Sequence, residues 1–130
     1  MKKVIVILIL FVFCSFNVFA SNYYKKAKKF DTLGYYDNIL QEDVYEVRFA
    51  GYIAQGLINA KSYCMLRSAE VCLENGYKTF DIIFNDHMVL SVDTIGIYFN
   101  IKCYKDDTGI YKATQIKENL YKEIGLNKNK

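Results

Sequence analysis

The chain of 130 residues has no Trp, no Pro, a single His and only four Cys. Each scarcity removes a class of answer. Without Pro and without a Ser/Gly-rich stretch there is no marked linker, so nothing in the chain divides it into domains. The lone His87 and the cysteines share neither C-x-x-C nor H-x-x-x-H spacing, so no metal or other cofactor is expected. Gly51 and Gly56 have the spacing of a phosphate loop, yet Leu57 and Ile58 follow where Lys and Ser or Thr are required.

Excess charge of one sign is scarce too. Lys2 and Lys3 lie in an N-terminal stretch without acids; setting them aside leaves 15 basic residues against 14 acidic ones, and the formal charge falls from +3 to about +1. A nucleic-acid binder needs a strongly basic face, so nucleic acid is not an expected partner.

Long apolar runs are absent except at the start. Lys2 and Lys3 precede the unbroken apolar stretch Val4 to Phe13, and Val18-Phe19-Ala20 offers the residue sizes that a signal peptidase reads. Even stretched to Phe16 the run is 13 residues, well short of the roughly 20 that span a bilayer. The pattern predicts a signal peptide over 1–20, an exported protein of the periplasm or the exterior, and no transmembrane anchor after cleavage. Phe13 stands before Cys14 where lipid attachment needs a small residue, so no lipid is expected. Residues 21–31, with Lys25, Lys26, Lys28 and Lys29, are expected to form a basic flexible tail.

What remains, 32–126, has the length of one domain. Tyr35 to Leu40 and Val44 to Phe49 flank the turn Gln41-Glu42-Asp43, and Tyr45, Val47 and Phe49 alternate with Glu46 and Arg48, which predicts a hairpin with one buried face. Leu57 to Asn75 contains neither Gly nor Pro, and Gly76 follows as a left-handed cap with Tyr77 behind it. On that helix Asn59, Tyr63, Arg67, Glu70 and Glu74 share a narrow wedge expected to face water, while apolar residues cover most of the rest. Thr79 to Phe84 alternates with Phe80, Ile82 and Phe84 inward, and Ile95 to Tyr104 alternates with Ile95, Ile97, Phe99, Ile101 and Cys103 inward. Ala113, Ile116, Leu120 and Ile124 fall at helical spacing. The expected fold is α+β: a single two-layer domain, a mainly antiparallel sheet of about four strands with two helices packed on it.

Beyond the signal peptide the cysteines are Cys64, Cys72 and Cys103. Eight residues of helix place Cys64 about 12 Å from Cys72 along the axis, beyond disulfide reach. Cys103 can pair with either, and the simplest reading makes all of them small core hydrophobes.

Several of these residues also form a pattern. Tyr45-x-Val47-x-Phe49-x-Gly51, Leu66-Arg67-Ser68-Ala69-Glu70 and Gly76-Tyr77-x-x-Phe80 resemble a family of small exported bacterial envelope proteins, many of them lipoproteins, whose function is not established; Tyr111-x-Ala113-x-x-Ile116-x-x-x-Leu120 is similar to that family's closing helix. Lys112 departs from the acidic cap expected there. The resemblance implies an envelope location and an α+β fold, and carries no catalytic residues.

Few residues suggest chemistry. Arg67 and Glu70, three apart, suit an ion pair on a helix face, with Glu74 a turn further; together with Gly76 and Tyr77 they are expected to be structural. His87 follows Asp86, a pairing that can orient a base, but in a polar turn it is expected to be solvated. All 12 Tyr follow residue 20, and Tyr98, Asn100, Lys102 and Tyr104 line the outward side of one strand. That row is the candidate binding face. The favoured function is a non-enzymatic interaction or structural module whose partner is an envelope protein or cell-wall polymer. The alternatives are a binding protein for cell-wall glycan or another anionic surface polymer, motivated by the Tyr row and Lys25 to Lys29, and a small Cys/His hydrolase.

Overall fold

Alternation of apolar and polar side chains sets the two faces of the sheet. In the computed structural model, which describes residues 24–28 and 33–123, the elements are β1 (Gly34–Gln41), β2 (Val44–Tyr52), a 3-10 turn (Ile53–Gln55), α1 (Leu57–Glu74), β3 (Thr79–Val89), β4 (Thr94–Tyr104), β5 (Tyr111–Lys112) and α2 (Ala113–Glu123). The signal-peptide stretch, Phe30 and Ile124 lie outside the described residues.

The sheet has the order β1-β2-β4-β3-β5, and each neighbouring pair is antiparallel. Because β2 and β3 both run against β4, they run parallel to each other with β4 between them, and α1 makes the crossover. A single antiparallel layer with helices on one side is the α+β domain that the strand and helix order predicts, with one strand more than expected. The addition is β5, whose two residues pair with Thr79 and Phe80 at the start of β3.

The core fills the space between sheet and α1. Tyr45, Val47 and Phe49 of β2, Phe80 of β3, and Ile97, Phe99, Ile101 and Cys103 of β4 pack against Ala60, Tyr63, Cys64, Ala69, Val71 and Cys72 of α1. Removing a side chain such as Phe49 or Ile101 from water contributes about 1.5 to 3 kcal/mol each. The helix then stops where Gly76 turns left-handed, φ 81°. Tyr77 N–H donates to the Cys72 carbonyl at 2.9 Å and Gly76 N–H to that of Leu73 at 3.1 Å, the paired bonds of a Schellman cap. The Tyr77 ring meets Tyr45 edge-on, so the cap is also pinned to the sheet.

Three expectations need correction. First, β3 runs on to Val89, so His87 lies in a strand and not in a turn. Second, the register of β3 on β4 shifts between Ile82 and Phe84, with Ile82 opposite Ile101 and Phe84 opposite Asn100. One extra residue reverses the side-chain phase, so Phe84 leaves the core face and stands on the outer face, its ring 6.1 Å from that of Tyr98. Third, residues 24–28 do not trail in solvent as part of a flexible tail. Lys26 bridges Tyr35 in parallel fashion, Ala27 is buried, and the Tyr24 ring lies 5.1 Å from Tyr35 and 5.7 Å from Tyr63.

Candidate functional site

Both described helices lie on the inner side of the sheet, so among the described residues the outer face has no helical cover: α1 packs on β2 and β4, and α2 packs on α1. The expected row falls on that face. Register places Arg48 opposite Tyr98, Glu46 opposite Asn100 and Val44 opposite Lys102 on one side, and Asp86, Phe84 and Asp81 opposite the same three on the other. Since β4 is a central strand, however, the row is a floor and not a rim. Tyr98 OH donates to Asp86 at 3.2 Å, Tyr104 OH donates to Asp81 at 3.1 Å, and the Lys102 ammonium lies 5.7 Å from the centre of the Tyr104 ring. Desolvation first, then the adjacent carboxylate, raises the pKa of both phenols, so they remain donors. Asn100 differs from its neighbours, because its Oδ1 is buried and accepts no hydrogen bond.

β3 also carries exposed apolar groups that sequence reasoning missed, with Phe84 and Met88 on this face and Val89, opposite Ile95, on the other. Ile83 is 56% exposed, Phe84 49%, Met88 45% and Val89 64%. Among the described residues β5 covers β3 only at Thr79 and Phe80, so the strand from Phe84 to Val89 is hydrogen-bonded to β4 alone and its other edge is open. An uncovered edge is a template for a further strand. The signal available in the sequence was the second apolar cluster Met88-Val89-Leu90 after the polar Asn85-Asp86-His87, too long a pattern to end the strand at Phe84.

The polar wedge of α1 is the other concentration of charge; its ends, Asn59 and Glu74, are exposed as expected, whereas Tyr63 and Arg67 between them are buried. Arg67 Nε donates to Asp37 at 2.6 Å, and its two terminal nitrogens donate to the two Glu74 carboxylate oxygens at 2.9 and 3.2 Å. The guanidinium carbon lies 4.5 Å from the Tyr35 ring centre, and Glu70 stands 3.6 Å from the guanidinium. Glu70 in turn accepts from Tyr24 OH and, at 2.6 Å, from Tyr121 OH. The segment 24–28, β1 and α2 thus close over the wedge, and Arg67 is buried. The cluster satisfies itself and joins four parts of the chain. Arg67 and Glu70 hold this cluster together, and Gly76 and Tyr77 form the cap at the end of the same helix.

His87 is exposed, and the thiols are not. The His87 N–H bonds to the Asp86 side chain on an exposed stretch of β3, whereas Cys64, Cys72 and Cys103 are all buried. Burial pushes the Cys64 thiol up, away from the thiolate a nucleophile requires. Among the described residues no three His, Cys, Asp or Glu side chains gather as a metal-holding group, and no helix is long and apolar enough to cross a membrane.

An α+β domain with a single antiparallel sheet, which among the described residues carries helices on one face only, is therefore the class that the fold defines. Comparison with protein-family models, with curated proteins and with solved structures yields no match.

Proposed function

We propose that the protein is an exported, non-enzymatic interaction module of the cell envelope that binds a protein partner along the outer side of its sheet, with the open edge of β3 as the docking line. The observation that carries this reading is the edge itself: among the described residues Phe84 to Val89 pair on one side only, and Ile83, Phe84, Met88 and Val89 present apolar area to solvent beside it. A partner strand would satisfy the free backbone groups, while the floor of Tyr98, Asn100, Lys102 and Tyr104 would supply adaptable polar contacts.

Charge favours a protein over an anionic polymer. Arg48 and Lys102 are set among Glu46, Asp81 and Asp86 on this face, so it carries no surplus of positive charge. The signal-peptide pattern of residues 1–20 supports export, and the resemblance across residues 35 to 84 agrees with an envelope location. Three buried thiols and an exposed His87 support a role without catalysis.

Photo-crosslinking in intact cells tests the reading. A crosslinking residue placed at Ile83 is expected to give a discrete protein adduct, and one placed at Lys117 on α2 to give none. Adducts at Lys117 without adducts at Ile83 would overturn it.

A further inference from the structure

We infer that Cys72 and Cys103 are a disulfide-forming pair which, on meeting a disulfide oxidant, joins α1 to the central strand β4, and that Cys64 remains a free thiol. This holds independently of the partner reading above. Cys72 Sγ donates to the Thr79 carbonyl at 3.4 Å, at the very start of β3. The next residue, Phe80, is directly opposite Cys103 in the β3–β4 register. Both side chains are completely buried in that part of the core, and each thiol shifts the ionisation of the other.

Cys64 belongs to a different part of the core. Its thiol is 3.4 Å from the Val47 carbonyl and 3.8 Å from that of Ile97. Ile97 precedes Cys103 by six residues on the same strand, a separation of about 20 Å. Along α1 the rise from Cys64 to Cys72 is about 12 Å, and a disulfide tolerates a Cα separation of no more than about 7 Å. Of the pairings open to these cysteines, only Cys72 with Cys103 lies within reach. Their contact also lowers the Cys72 pKa and raises that of Cys103, because Cys103 keeps its proton and donates it, which makes Cys72 the first sulfur to reach thiolate.

The exchange balances with a disulfide as oxidant. The Cys72 thiolate attacks one sulfur of the oxidant, whose S–S bond breaks as a mixed disulfide forms. Cys103 then loses its proton and displaces the oxidant from Cys72. Two electrons pass from the two cysteines to the oxidant, whose two sulfurs are released as thiols, one in each displacement, carrying the two protons. Because neither thiol is exposed in the folded chain, the reaction belongs to folding or to local opening of α1 from β4, and the finished bond is shielded from reductants.

Peptide mapping decides the pairing, since trypsin places the three cysteines on separate peptides, Ser62–Arg67, Ser68–Lys78 and Cys103–Lys105. The protein produced from the full chain is unfolded, refolded in oxidised and reduced glutathione, quenched with N-ethylmaleimide in denaturant and digested. The expected result is Ser68–Lys78 linked to Cys103–Lys105, with Ser62–Arg67 alkylated, and a thermal midpoint on the order of 10 °C above that of the reduced chain. A Cys64→Ser variant is expected to keep the same link. Alkylation of all three peptides, or a bond that includes Ser62–Arg67, would overturn the inference; the wild-type map decides even if a Cys72→Ser variant fails to fold.

Discussion

Arg67 and Asp37 meet at 2.6 Å, and this one contact ties the middle of α1 to β1, an edge strand whose side chains contribute little to the buried core. The same guanidinium holds Glu74 with both terminal nitrogens and faces the Tyr35 ring. It therefore anchors the edge that the hydrophobic layer leaves weakly held.

Arg67→Ala should destabilise the protein by about 3 kcal/mol, because it leaves Asp37 and Glu70 partly buried without their cation. Arg67→Lys should recover less than half, since an ammonium cannot reproduce the planar fork. Urea denaturation checks both. A loss below about 0.5 kcal/mol for Arg67→Ala would show that the cluster behaves as an ordinary surface pair.

Alkaline pH should weaken the fold through Tyr24. Burial, and then the Glu70 carboxylate to which it donates, raises its pKa above the ordinary value of 10.0. The folded chain thus retains a proton that the unfolded chain has released. The contribution is intact below pH 10 and falls above it by up to about 1.4 kcal/mol per pH unit. Tyr24→Phe should flatten the pH dependence of the urea midpoint above pH 10. An unchanged slope would count against burial of that hydroxyl.

The bulge at Ile83 makes two phenylalanines four residues apart behave differently. Phe80 is fully buried, so Phe80→Ala should cost about 3 to 5 kcal/mol. Phe84 stands half exposed on the other face, and Phe84→Ala should cost less than about 1 kcal/mol. Equal losses in thermal or urea unfolding would place both on the core face and remove the bulge.

Two glycines separate backbone crowding from side-chain crowding. A Cβ at Gly109 would lie 2.6 Å from both Phe80 N and Thr79 Oγ1, where Gly109 N–H already bonds to that hydroxyl. A Cβ at Gly96 would meet only the Leu90 side chain, at 3.3 Å. Gly109→Ala should therefore cost about 2 kcal/mol or more and loosen β5, and Gly96→Ala about 1 kcal/mol or less. Amide exchange at Tyr111 and Lys112 reads out the first effect.

The faces of β4 were legible because apolar and polar residues alternate without interruption from Ile97 to Cys103, and the Gly76 cap because Gly followed by Tyr at a helix end has a specific backbone use. The phase of β3 was not. Ile82, Ile83 and Phe84 are all apolar, so alternation gives no point at which to place the extra residue. Nor was the burial of Arg67 legible, since its cover comes from Tyr24, Asp37 and Tyr121, which lie 30 or more residues away along the chain. Patterns of period 2 and 3.6 report a residue's own element; long-range contact decides what lies over it.

Partner binding along the outer side of β3 is tested most directly by the in-cell crosslinking yield at Ile83 in a Phe84→Lys plus Met88→Lys variant. Both side chains are about half exposed and face away from the core, so the variant should unfold at the wild-type midpoint. Its adduct should fall at least tenfold, because two ammonium groups would have to be desolvated under a docked strand. A folded variant that retains the full adduct would contradict the assignment of this edge as the docking line.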